Sequence, residues 1–201
     1  MRFRKGQIPI LISILCALAV FSAHFVTRKN YEFIIYVGVI VFFLVVFIVT
    51  NEKVYYPNSI LWGLSVWAIM HMAGGSVHIK GTLLYKMIII PLSENYPIFR
   101  YDQLVHIIGF GVATLTLFYL LRPLLGANVK GWGALSIIVV AAGLGVGAFN
   151  EVIEFIVSSV VPESNVGGYL NTSLDLVSDL IGAVLALVVI RFTNRTIVTG
   201  Q

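Results

Sequence analysis

Charge is what this chain has least of. Asp, Glu, Lys and Arg make up only 11% of its 201 residues, where a soluble domain carries about 25%. Cysteine is almost missing too. The single Cys16 excludes an internal disulfide and a thiolate metal cluster. It follows Leu15 where a lipoprotein signal would place a small residue, so a lipid anchor there is not expected. No stripe of Lys and Arg with interleaved aromatics accompanies the net charge of +4, so no nucleic-acid partner is expected. Internal repeats and low-complexity tracts are absent, and residues 1–201 read as one domain.

Apolar residues fill the space that charge leaves. They make up 59% of the chain, mean hydropathy is +0.97, and they gather into runs near the ~20 residues that cross a bilayer. The fold class expected is all-α, a polytopic transmembrane helical bundle of about six spans. These run from Gln7 to Val26, Phe33 to Thr50, Pro57 to Gly75, Asp102 to Arg122, Trp132 to Val161 and Thr172 to Phe192. Gly74-Gly75, Pro123 and Pro162 punctuate them. Ala17-Leu18-Ala19 resembles a signal-peptide cleavage site, but the apolar run continues past it, which favours an uncleaved anchor. Between spans three and four, the apolar stretch from Leu83 to Ile90 is too short to cross and predicts an interfacial or re-entrant segment.

Lys and Arg asymmetry orients the bundle. With a cytoplasmic N-terminus, Arg2, Arg4, Lys5, Lys53, Arg122, Lys130, Arg191 and Arg195 lie inside, against Arg28, Lys29, Lys80, Lys86 and Arg100 outside. An even number of spans returns the C-terminus to the cytoplasm.

Against this apolar background stand His71, Asp102, His106, Glu151, Glu154, Asp175 and Asp179, in or at the ends of the spans. An ionisable group at mid-bilayer costs roughly 2.5–3.5 kcal/mol on insertion scales and normally faces a bundle interior. Threading the spans puts all seven towards the extracytoplasmic half. Asp102 and His106 are four apart, Glu151 and Glu154 three, Asp175 and Asp179 four, so each pair shares a helix face. Gly109, Ala113, Gly143, Gly147, Gly182 and Ala186 extend the same stripes and allow close helix approach. Duller roles stay open: Asp102 as an N-cap, Asp175 in a capping box with Thr172, and His71 and His106 as interhelical hydrogen-bonding groups. His24 and His78 look peripheral, and the sequons at Asn171 and Asn194 read as chance matches.

Several carboxylates in one low-dielectric pocket cannot all stay ionised unpaired; protons or a cation must neutralise them. His71, His106, Glu151, Glu154, Asp175 and Asp179 form a mixed shell that suits a divalent metal ion, with zinc, manganese or iron ahead of magnesium or calcium. Without metal, Glu151, Glu154, Asp179, Asp102 and His106 can serve acid–base chemistry. Arg100 and Tyr101 sit where they could hold an anionic headgroup or phosphate.

Four motifs carry a family resemblance: His71-Met72-Ala73-Gly74-Gly75, the run from Arg100 to Phe110, Asn150-Glu151-Val152-Ile153-Glu154, and Asp175 to Gly182. In this order they resemble the YjdF-like family of uncharacterised bacterial inner-membrane proteins, over roughly Trp62 to Ala186. More distantly the chain is similar to VanZ-like membrane proteins, some of them linked to glycopeptide resistance. It departs from that looser pattern with Gln103 for Lys, Glu154 for Gln and Asp179 for Asn. The nearer resemblance implies a multi-pass protein of the bacterial inner membrane and no particular reaction.

Three functions fit these observations. The first is an intramembrane enzyme, with or without a divalent metal, acting on a lipid, a lipid-linked or another small-molecule substrate. The second is a small proton- or cation-coupled transporter, against which stands the lack of an inverted repeat or paired broken helices. The third is a structural polar network without turnover. Interhelical hydrogen bonds in membranes average only about 0.6 kcal/mol, a small return for inserting so many charges.

Overall fold

The computed structural model describes residues 3–125, 131–162 and 164–198, with backbone alone for 194–198. Arg2 and Lys130 of the charge tally lie outside the described residues, as do the side chains of Arg195 and of the sequon at Asn194. Among the described residues six α-helices follow one another: α1 Gln7–Thr27, α2 Tyr31–Val54, α3 Asn58–Gly74, α4 Tyr101–Leu121, α5 Trp132–Val160 and α6 Tyr169–Val198. All but α3 are long and apolar enough to cross a membrane. At 17 residues, α3 spans about 26 Å, somewhat short of a ~30 Å hydrocarbon core. The count of six spans therefore becomes five full-length helices and one short one.

The short helix still joins the same two ends of the bundle as the others. Asn58 at its start donates to the Lys5 carbonyl at 3.1 Å, and Met70 near its finish accepts from the Tyr101 hydroxyl at 3.2 Å. Tyr119, late in α4, donates to the Tyr55 carbonyl in the α2–α3 turn at 2.9 Å. Lys86 donates to Asn165 at 3.0 Å, and Asn165 in turn gives its backbone N–H to Glu32 at 2.6 Å. Neighbouring helices thus alternate in direction. One end carries the α1–α2, α3–α4 and α5–α6 connections and is called the site end below; the other carries the N-terminus.

Side-chain size sets how closely the helices approach. The tightest seam is α4 on α6, where a Cβ on Gly182 would lie 2.4 Å from the Ile107 carbonyl oxygen and 2.9 Å from the Gly111 nitrogen. Gly143 lies under Thr114 and Ala183, and Gly109 faces the Trp67 ring. The small-residue stripes are therefore packing faces, as helix association in lipid requires. Phe25, Phe33, Tyr36, Met72 and Val157 fill the core towards the site end, and Phe118, Leu135, Val139 and Ile190 fill it towards the other. The outer surface is apolar, with Phe42, Val49, Ile137 and Phe155 exposed, as a lipid-facing bundle should be.

The connection between α3 and α4 forms no interfacial helix. A two-residue hairpin pairs β1 His78–Ile79 with β2 Thr82–Leu83, turning through Lys80 and Gly81 at positive φ. One 3-10 turn follows at Leu84–Lys86. Ile88 then bridges to Arg100, with Tyr101 N–H donating to the Met87 carbonyl at 2.8 Å. Three consecutive β-branched isoleucines and the following Pro91 favour extended backbone here over helix. The segment caps the site end. Pro123 does not stop the chain abruptly either, because a 3-10 turn, Arg122–Leu124, continues α4.

Candidate functional site

Three helices bring the expected acids together around one imidazole. Asp102 and His106 come from α4, Glu151 and Glu154 from α5, Asp175 and Asp179 from α6. His106 Nδ1 is hydrogen-bonded to Asp179 Oδ1 at 2.8 Å and lies 4.0 Å from Glu151 Oε1. On its other edge, Nε2 is 3.9 Å from Asp102 Oδ1 and 3.9 Å from Glu154 Oε1. With Asp179 as acceptor, Nδ1 carries a proton and Nε2 of the neutral ring is left to face the other two carboxylates. His106 is 5% exposed, Glu151 8%, and Asp175 and Asp179 are fully buried.

Neither capping role holds. Arg100, not Asp102, is the N-cap of α4, and the Arg100 N–H donates to Gln103 Oε1 at 2.7 Å. Asp102 instead accepts from Asn171 Nδ2 at 3.2 Å. Helix α6 begins at Tyr169, three residues before Thr172, so Asp175 lies in its second turn. Asp175 accepts from Gln103 Nε2 at 2.8 Å and from the Asn171 amide.

Amides therefore tie the acids between helices. Gln103 links α4 to α6, Asn171 links Asp102 to Asp175, and Asn150 donates to Glu154 at 2.9 Å along α5. Sequence reasoning assigned none of these three a role, because an amide carries no charge to mark it. Asn171 even read as part of a chance sequon.

Other polar atoms find no partner among the described residues. Both carboxylate oxygens of Glu151 and Oδ2 of Asp179 are buried without a hydrogen bond. The Thr172 side chain faces Glu151 without reaching good hydrogen-bond geometry. Buried polar atoms are satisfied in the great majority of cases, so a cluster of exceptions asks for a reason.

His71 stands apart from this group. Its Nδ1 is 2.5 Å from the Tyr85 hydroxyl, and its ring sits among Phe33, Tyr36, Trp67 and Tyr85. Burial holds the Tyr85 phenol well above its usual range. It therefore stays protonated and donates to His71. Tyr101 turns its hydroxyl to the Met70 carbonyl.

A cavity of about 280 Å³ separates the cap from the acids, lined by residues including Tyr36, His71, Tyr85, Arg100, Asp102, Glu154 and Asn171. Arg100 is among the lining residues and Tyr101 is not. Tyr36 and Glu32, which also lines the cavity, went unnoticed in the sequence; an acid in the first turn of a span was the available signal for Glu32.

Among the described residues, two donor sets have the spacing to hold a metal ion, Asp102–His106–Asp175 and His106–Glu151–Asp179, each with its ligand atoms within 4.8 Å of one another. His71 belongs to neither. His106 belongs to both, so it is the pivot of any ion or proton held here.

Fold and composition define a polytopic α-helical membrane protein with acids and a histidine gathered near one end of its bundle. The chain belongs to a family described as predicted membrane protein, DUF2238, whose model matches residues 8–196. No curated protein and no solved structure matches it.

Proposed function

We propose that the protein is an intramembrane enzyme that holds a divalent ion at the His106 cluster and acts on a lipid or lipid-linked substrate entering through the cavity. One observation carries this reading. His106, oriented through Nδ1 by Asp179, turns Nε2 towards the Asp102 and Glu154 carboxylates, and both acids line the cavity. A carboxylate that fixes a histidine while its second nitrogen stays open is the usual support for a metal ligand or a general base. An ion bound there would polarise a phosphoryl or carbonyl oxygen and activate water. Asp179 would keep the imidazole in one tautomer. Glu151, with both oxygens unpartnered, would add a ligand or take up a proton.

The interior argues against passage through the bundle. Towards the opposite end, Phe118, Leu135, Val139 and Ile190 pack as a buried apolar cluster among the described residues, which weighs against a polar path through the bundle. A purely structural network is disfavoured by its incompleteness, since a network kept for stability satisfies its members. We place the site end on the extracytoplasmic side of the bacterial inner membrane and both termini in the cytoplasm, following the basic-residue bias. We equate the YjdF-like resemblance with the matched family; no match ties the chain to VanZ-like proteins, and no role in antibiotic resistance is drawn from them.

Elemental analysis tests the metal. Purified protein equilibrated with manganese or zinc should retain close to one ion per chain, and His106→Gln and Asp102→Asn should lose it. Less than about a tenth of an ion per chain would overturn the metal-dependent reading. Uptake driven by a pH gradient in proteoliposomes of that metal-free protein would replace it with the carrier.

A further inference from the structure

The cavity above the acids has its own chemistry. Its acidic lining is already partnered: Glu32 accepts from the Asn165 N–H at 2.6 Å, Asp102 from Asn171 at 3.2 Å, and Glu154 from Asn150 at 2.9 Å. Its donors are not. The Tyr36 hydroxyl is buried without a partner, on a residue only 7% exposed. Arg100 Nε is likewise buried without a hydrogen bond, and both residues line the same cavity. Lys86 stands at the same wall with its ammonium on the exposed Asn165 side chain.

What these two donors lack is an acceptor, since the carboxylates of the lining are already held by other N–H groups. A buried donor left unmade is costly, and a guanidinium that presents its planar fork matches phosphate better than any other common group. At about 280 Å³ the space suits a headgroup, with acyl chains left to the surrounding bilayer. The cavity also lies at the end of the bundle, where headgroups are found.

We infer that Arg100 and Tyr36, with Lys86 beside them, form a phosphate-binding subsite, so that the ligand drawn to the acids is a phosphate-bearing molecule held at the level of the lipid headgroups. The inference rests on the enzyme reading only for calling that ligand a substrate; binding itself requires no turnover. Tyr36 donates its hydroxyl to a phosphate oxygen, and Arg100 supplies charge and Nε–H. The phosphorus is thereby placed between these donors and the Asp102–Glu154 side of His106.

Binding by the full chain in detergent tests this, read by native mass spectrometry with three probes: phosphatidic acid, diacylglycerol and inorganic phosphate. Phosphatidic acid should bind at least about tenfold more tightly than diacylglycerol, and Tyr36→Phe and Arg100→Gln should each reduce that preference about tenfold. Arg100→Lys, which keeps the charge but removes Nε, should fall between, and it carries the test if Arg100→Gln fails to fold. Glu151→Gln should lose turnover and keep the binding, which separates failure of this subsite from failure of the enzyme reading. Inorganic phosphate competing as tightly as the lipid would keep the subsite and assign it to a soluble phosphate compound. Equal binding of diacylglycerol and phosphatidic acid, or full retention of the preference in both Tyr36→Phe and an Arg100 variant, would overturn it.

Discussion

Replacing Glu151 with glutamine separates a functional acid from a structural one. Glu151 lies nine residues before the end of α5, about 13 Å along the helix axis and close to the centre of a ~30 Å core. An acid at that depth carries an insertion cost of roughly 2.5–3.5 kcal/mol on translocon scales. Neither of its oxygens has a hydrogen-bond partner to offset that cost. Glutamine keeps the shape and removes the charge, but its amide inherits part of the unsatisfied polarity, worth about 1–3 kcal/mol. The net expectation is unchanged stability or a gain of up to about 2 kcal/mol, by detergent-titrated unfolding or by thermal melting in nanodiscs. Affinity for a divalent ion should fall at the same time by at least about tenfold, the loss typical of removing even an outer-shell partner. Stability rising while binding falls is the signature of a residue kept for function. A loss of more than about 1 kcal/mol with ion binding unchanged would refute the argument and make Glu151 part of a packing network.

Tyr85→Phe should cost about 1–2 kcal/mol, because it removes the donor that satisfies His71 inside an aromatic cage; no change in melting temperature would count against that bond. Burial raises the Tyr85 phenol above its ordinary value of 10.0. Its contribution is then complete below that pH and lost only above it. The difference between wild type and Tyr85→Phe should accordingly stay flat from about pH 6 to 9. Orientation can be read in a Cys16→Ser background, where a membrane-impermeant maleimide applied to intact cells should label Thr82→Cys in the cap and spare Lys53→Cys at the opposite end. The reverse pattern would place the acids on the cytoplasmic side.

Much of the bundle was legible because hydropathy is a long-range signal and helical spacing a strict one. Runs of apolar residues located the six described helices, and the three ionisable pairs met because each shares a face. What the sequence hid were features decided by tertiary neighbours. The cap between α3 and α4 is extended because its isoleucines are held by the Ile88–Arg100 bridge and by the hairpin; hydropathy and length do not separate the two conformations, and only the β-branched run before Pro91 leans towards the extended one. Asp102 and Asp175 resembled caps by position, but Gln103 and Asn171 draw them inward. His71 matched the acids by depth and by being ionisable, yet it sits among the rings of Phe33, Tyr36 and Trp67 and belongs to neither donor set.

The same glycines that let the helices close also shape the cluster, and Gly147 shows how. A Cβ at this position would lie 2.2 Å from Asp179 Oδ2, 2.6 Å from its Cγ and 2.8 Å from its Cβ. Because the whole side chain is in the way, rotating the carboxylate cannot relieve the clash. Gly147→Ala must therefore part α5 from α6 or swing Asp179 off His106 Nδ1. Either response should lower stability by about 1–3 kcal/mol, as overpacking does, and weaken whatever the cluster binds. Gly145→Ala is the control: two residues away on the same helix, its Cβ would meet nothing within 4 Å, and helix propensity alone favours it by up to about 1 kcal/mol. Combining Gly147→Ala with Asp179→Ala should recover part of the stability but not binding, since the carboxylate contacts go while the 2.8 Å approach of the two Cβ atoms stays. If Gly147→Ala instead melts like Gly145→Ala and binds like wild type, then Asp179 is not wedged between the two helices, and His106 is oriented by something else.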